Sequence, residues 1–156
     1  MGGVRRGAIW VLKWFAALYV VAIVVQIFLA GEGIFRLYNI KNSDDCDKAA
    51  AHCIANSKTL DPHRSLGFFL TMPIALLFLI VALIAWHPVV RIRVVSIILP
   101  ILTFVQIVLA GIGGWVAGLH PVNGFLILFL YGWLFYQLRK GAPETPAAPT
   151  PAPATG

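Results

Sequence analysis

The chain has 156 residues, of which 60% are apolar and only 12% are charged, and its mean hydropathy is +0.86. In a soluble domain roughly a quarter of the residues are charged. This composition therefore excludes an ordinary soluble protein and indicates an integral membrane protein. The net charge of +6 is therefore interpreted as basic residues flanking membrane spans. A nucleic-acid partner is not predicted.

Four apolar segments are each long enough to cross the roughly 30 Å hydrocarbon core of a bilayer. They predict spans 1 to 4 at about residues 8–30, 62–86, 92–116 and 121–138. The predicted fold class is all-α, a polytopic antiparallel four-transmembrane-helix bundle over residues 1–140 with an outer loop at 31–62. Pro73 and Pro100 fall inside spans 2 and 3, where they predict kinks.

A cleaved signal peptide is the alternative for the first span, because a basic leader precedes the apolar run and small residues follow it at Ala30 and Gly31. The length of the run, Lys13 within it and the internal repetition of its end favour a retained span. Residues 141–156 are rich in Pro and Ala, which predicts a disordered tail.

The orientation is predicted from the distribution of Lys and Arg. Basic residues are concentrated at the leader, at the turn between spans 2 and 3 and at the end of span 4. In the long loop, by contrast, basic and acidic residues balance. The positive-inside rule then places both termini in the cytoplasm and residues 31–62 outside the cell membrane.

A nine-residue motif occurs twice in the chain. Residues 25–33 read VQIFLAGEG and residues 105–113 read VQIVLAGIG, which match at seven of nine positions. Each copy is followed by a histidine with Gly-Phe starting four residues later, at His63 and at His120. The sequence therefore predicts an internal repeat of two helix pairs.

The predicted topology places both histidines at the outer ends of spans 2 and 4, which are parallel and diagonal in such a bundle. Gly67 and Gly124 lie one helical turn below them and are expected to leave room for a flat group. Gln26 and Gln106 lie on the small-residue faces of spans 1 and 3. This pattern suits a haem b with His63 and His120 as the axial ligands of its iron. The competing hypothesis is that these are interfacial histidines and helix-packing glycines.

Cys46 and Cys53 are the only two cysteines, and both fall in the predicted outer loop. An extracytoplasmic location predicts a structural disulfide between them. A redox-active pair is the sharper alternative. Zinc binding by these cysteines with His52 lacks a clear fourth ligand.

The C-x6-C loop, the His63-Arg64 pair, the Gln and Gly-rich end of span 1 and the second histidine, His120, resemble one four-helix half of haem A synthase. The pattern also looks like that of small four-helix membrane proteins of actinobacteria. The resemblance implies haem ligation by His63 and His120, with Arg64 near a propionate. The chain departs from haem A synthase at Leu60, where that family has a glutamate, and the full enzyme has eight helices.

Three classes of function follow from these patterns. The first is a haem b protein of electron transfer, with a quinone or another redox protein as its partner; the second is a cofactor-free structural or accessory membrane protein. A small transporter is the least favoured class, because the internal repeat is parallel rather than inverted. The sequence has no nucleotide loop and no nucleophile with a base, so an enzyme acting on a soluble substrate is not predicted. The oligomeric state is left open, a homodimer included.

Overall fold

A computed structural model of the protein describes residues 2–41 and 58–140, without the side chains of 39–41. Within these ranges the regular structure is helical throughout, and four helices are long and apolar enough to cross a membrane. The predicted all-α four-helix bundle is confirmed. The chain is a multi-pass membrane protein.

The first half of the bundle is made of one long helix and one composite helix. Helix α1, Gly3–Lys41, forms span 1. Span 2 starts with a 3₁₀ turn and contains a π-helical segment between two α-helices. Its parts are the turn Lys58–Leu60, α2 Asp61–Phe69, the π segment Leu70–Ile74 and α3 Ala75–Ala85.

The second half repeats this arrangement with simpler helices. Helix α4, Val90–Ile112, forms span 3. Span 4 consists of a 3₁₀ turn, Gly114–Gly118, that leads into helix α5, Leu119–Lys140.

Span 1 is longer than predicted, because residues 31–41 continue the helix instead of starting the loop. The Glu32 and Arg36 side chains form an ion pair one turn apart, which supports this extension. Gly33 is buried against Thr59 and Leu60, where any side chain would collide. Gly33 therefore serves helix contact, and neither Gly31 nor Gly33 ends the helix. The remaining loop residues, with Cys46 and Cys53, and the tail at 141–156 lie outside the described residues.

Span 3 is shorter than predicted and ends at Ile112. Gly113 and Gly114 have φ values of +76° and +59°, a left-handed conformation that glycine adopts without steric cost. Of the two prolines, Pro73 coincides with the π segment, whereas Pro100 lies inside the uninterrupted α4.

The helices pack so that span 1 contacts spans 2 and 4, and span 3 contacts the same two. Spans 2 and 4 are therefore diagonal, as predicted. The centre of the bundle is aromatic: the rings of Tyr19 and Tyr131 stack with centroids 4.2 Å apart, and Phe78 packs edge-on against both. The Tyr19 hydroxyl donates to the carbonyl of Leu70 at 2.8 Å.

At one end of the bundle, an arginine of span 1 forms hydrogen bonds with the end of span 2. Arg5 donates to the backbone carbonyls of Ala85, at 3.0 Å, and of Trp86, which the end of span 2 leaves without helical partners. The buried His87 follows, and its Nδ1 accepts the N–H of Val89 at 3.2 Å. Burial lowers the pKa of His87 below its usual value. The start of span 1 is thus fixed to the turn between spans 2 and 3.

Candidate functional site

At the opposite end of the bundle, each motif glutamine is joined to a motif histidine by two hydrogen bonds. Gln26 Nε2 donates to the backbone carbonyl of His63 at 2.6 Å, and the ring Nδ1 of His63 lies 3.0 Å from the backbone carbonyl of Gln26. The second pair repeats this, with Gln106 Nε2 donating to the His120 carbonyl at 2.9 Å and His120 Nδ1 at 2.8 Å from the Gln106 carbonyl. We call each such pair a glutamine–histidine clasp.

The clasps determine where the protons of both imidazoles reside. A backbone carbonyl can only accept a hydrogen bond, so Nδ1 of His63 and of His120 must carry the proton and donate it. In the neutral imidazole the other ring nitrogen, Nε2, then has a free lone pair. Both histidines are therefore held in the tautomer that can bind a metal through Nε2.

The glycines one turn below the histidines lie against the glutamines of the clasps. A Cβ atom added at Gly67 would lie 2.8 Å from Gln26 Nε2, and one added at Gly124 would lie 3.1 Å from Gln106 Nε2. Each glycine thus leaves room for the glutamine side chain that reaches past it to the histidine. Both glycines also form part of the cavity wall, and room for a flat group beside them stays a prediction.

The two imidazoles are neighbours across the bundle. Their ring centroids are 6.1 Å apart and their planes are inclined by 71°. Both line a cavity of about 500 Å³ that extends from this level to Tyr19, Thr71 and Thr103 near the centre of the bundle. This volume lies in the range of small-molecule and cofactor sites.

The cavity follows the internal repeat. Eighteen of its 21 lining residues form nine pairs related by an offset of 80 residues between spans 1 and 3, or of 57 between spans 2 and 4. Examples are Ala30 with Ala110 and Phe68 with Phe125. The site therefore lies on an approximate two-fold axis, and its two halves present similar surfaces.

The two clasps differ in one contact. Asn123 Nδ2 donates to Gln106 Oε1 at 2.7 Å and to the carbonyl of Leu102 at 3.0 Å. Leu66 occupies the equivalent position beside the first clasp, and Gln26 Oε1 is buried without a hydrogen-bond partner. Asn123 was missed by sequence reasoning, although a polar residue three positions after a motif histidine was a visible signal.

All seven residues predicted for cofactor binding line this one cavity, namely Gln26, His63, Arg64, Gly67, Gln106, His120 and Gly124. Arg64 is exposed, and its Nη1 lies 3.4 Å from Asp61 Oδ1. Tyr19, Thr71 and Thr103 were not predicted, because their helical positions resemble those of ordinary core residues. No cluster of three or more His, Cys, Asp or Glu side chains occurs in the described part of the chain. Of these residue types, His63 and His120 are the two that line the cavity within the described residues.

Comparisons of this chain with protein-family models, with curated proteins and with solved structures gave no match. The resemblance to one half of haem A synthase stays a prediction.

Proposed function

We propose that the protein binds haem b between His63 and His120 and takes part in electron transfer. The observation that carries this proposal is the pair of imidazoles at 6.1 Å, each held by a carbonyl in the tautomer that leaves Nε2 free. Histidines that bind metals almost always donate their other ring N–H in this way.

The separation of the rings fits one metal ion between them. With metal-to-nitrogen distances of about 2.0–2.1 Å, and a ring nitrogen roughly 1.1 Å from its own centroid, two imidazoles on opposite sides of a metal have centroids about 6.3 Å apart. The 6.1 Å between the two ring centroids is close to this value. A tetrapyrrole would supply four further donors at this position.

The character of the cavity wall also supports a haem. The hydroxyls of Thr71, Thr103 and Tyr19 all donate to backbone carbonyls, so none of them needs an acceptor from a ligand. The cavity is otherwise apolar, as a site for a largely apolar macrocycle should be.

The roles of the residues follow from these contacts. His63 and His120 would hold the iron, and the clasp glutamines would fix the ring orientation. Arg64 is the cationic side chain in the lining and would pair with a carboxylate of the cofactor. Haem with two histidine ligands supplies one-electron chemistry. A quinone or a redox protein is the partner class we propose.

A cofactor-free structural role is the second candidate, and a specific observation favours it. The clasps alone account for the glutamines, the histidines and the glycines beside them, because they are interhelical contacts. Such polar contacts join membrane helices without a ligand. In that case the cavity itself has no explanation.

The test is an absorption spectrum of the protein purified after expression with added haem. We expect sharp b-type bands in the difference between the reduced and oxidised states. The double variant His63→Ala/His120→Ala should lack them while keeping its helical circular dichroism.

His87→Asn is the matched control, because His87 is a buried histidine at the opposite end of the bundle and asparagine retains an acceptor for Val89. Its spectrum should equal that of the wild type. A wild-type protein that folds but takes up no haem would overturn the proposal and leave the structural role.

A further inference from the structure

We infer that His63 is the displaceable axial ligand and His120 the fixed one, so that the site exposes a coordination position on the His63 side. This inference rests on the proposed function. Two independent differences between the halves of the repeat carry it.

The first difference is the support of the clasps. Gln106 is held from both ends of its amide, because its Nε2 donates to His120 and its Oε1 accepts from Asn123. Gln26 is held only through Nε2, since Leu66 offers no donor to Oε1. Hydrogen-bonded partners behind a metal ligand set its orientation and its affinity for the metal. The first clasp is therefore the weaker one.

The second difference is the helix that carries each histidine. His120 lies in α5, which runs without interruption from Leu119 to Lys140. His63 lies in the nine-residue α2, which ends at the π segment Leu70–Ile74. A 3₁₀ turn precedes both histidine-bearing helices, so the π segment is the difference between them. Such segments inside helices are frequent at functional sites. A short helix that ends at a π segment can tilt with less disturbance than a continuous one.

A displaced His63 would leave room for an external ligand. Gln26 remains in the cavity wall beside the vacated position. A small neutral molecule that coordinates a metal would find an open position there. In this exchange one imidazole leaves, one external ligand enters, and no electron is transferred.

Carbon monoxide is the probe, because it binds reduced haem and its binding changes the absorption spectrum. We expect dithionite-reduced wild-type protein to form a carbon monoxide complex. Leu66→Asn supplies the missing donor to Gln26 Oε1 and should slow this reaction about tenfold. Asn123→Leu is the matched change in the other half, and it should not slow the reaction.

Single histidine variants provide a second measurement. His63→Ala should retain haem with one histidine ligand, whereas His120→Ala should lose it during purification, as measured by haem content per protein. Equal haem loss in both variants, or a Leu66→Asn protein with unchanged carbon monoxide kinetics, would overturn the inference while the b-type spectrum still supports the proposed function. Absence of haem from the wild type would overturn both.

Discussion

Individual residues of the site were predictable because the chain repeats them. The duplicated Gln and H-x3-G-F patterns indicated which side chains would meet, and the structure places all of them around one cavity. Their contacts were not predictable, since sequence spacing does not show that a glutamine side chain crosses a glycine on the next helix. The clasp is a property of two helices in contact and not of either motif.

The clasp predicts different effects for alanine at three glycines. Gly67→Ala would place Cβ 2.8 Å from Gln26 Nε2, so the glutamine must move and give up its bond to His63. Gly124→Ala is less crowded, at 3.1 Å from Gln106 Nε2, and Gly132→Ala meets no atom within 4 Å. We expect Gly67→Ala to lower the free energy of unfolding by about 0.6–2 kcal/mol. Gly124→Ala should lower it by less, and Gly132→Ala should not lower it.

Thermal unfolding in detergent, followed by circular dichroism, measures this order. Gly132→Ala is the control, since it adds the same methyl group to a helical glycine in open space. If Gly67→Ala proved as stable as Gly132→Ala, the bond from Gln26 to His63 would not depend on the absence of a side chain at position 67.

Among the elements, the four helices were predictable from apolar length, whereas their ends were not. Span 1 continues to Lys41 because the residues after Gly31 keep making helical contacts, and span 3 stops at Ile112 because two glycines adopt positive φ. Glycine thus lies inside one helix and ends another. Tertiary packing, such as that of Gly33 on Leu60, decides between these outcomes.

The helix end at Trp86 depends on Arg5. Its guanidinium donates to the carbonyls of Ala85 and Trp86, and hydrogen bonds from a charged donor contribute about 1.5–3 kcal/mol when buried. Since this contact is partly exposed, we expect Arg5→Met to lower the free energy of unfolding by about 1 kcal/mol, and the thermal midpoint by a few degrees.

Arg6→Met is the matched control for this change. It removes the same charge from the neighbouring position, where the side chain is exposed. Equal destabilisation by both substitutions would attribute the effect to charge and not to the capped helix end.

At the scale of the whole molecule, the bundle has chemically distinct ends. Arg5 and Arg93 lie at one end, near Trp86, and the imidazole pair lies at the other. Composition and the repeat predicted this separation, because spans of alternating direction place every second connection on the same side. The side of the membrane on which each end lies remains a prediction from the positive-inside rule.

Labelling of cysteines tests that orientation. In intact cells treated with reductant, a membrane-impermeant maleimide should label Cys46 and Cys53. A Gly2→Cys protein in which both native cysteines are replaced by serine should be labelled only after lysis. The opposite pattern would invert the topology, and the single-cysteine protein labelled in lysed cells is the control for reactivity.

The distance between the two ends has an electrical consequence. Gln26 lies 21 residues after Arg5 in α1, which is about 31 Å along the helix axis. This distance nearly equals the thickness of the hydrocarbon core. Moving one elementary charge through that thickness involves about 2.3 kcal/mol per 100 mV of membrane voltage. A charge that reaches the cavity from the near side crosses little of this field. One that arrives from the Arg5 end crosses nearly all of it, so the voltage assists or opposes exchange with only one of the two compartments.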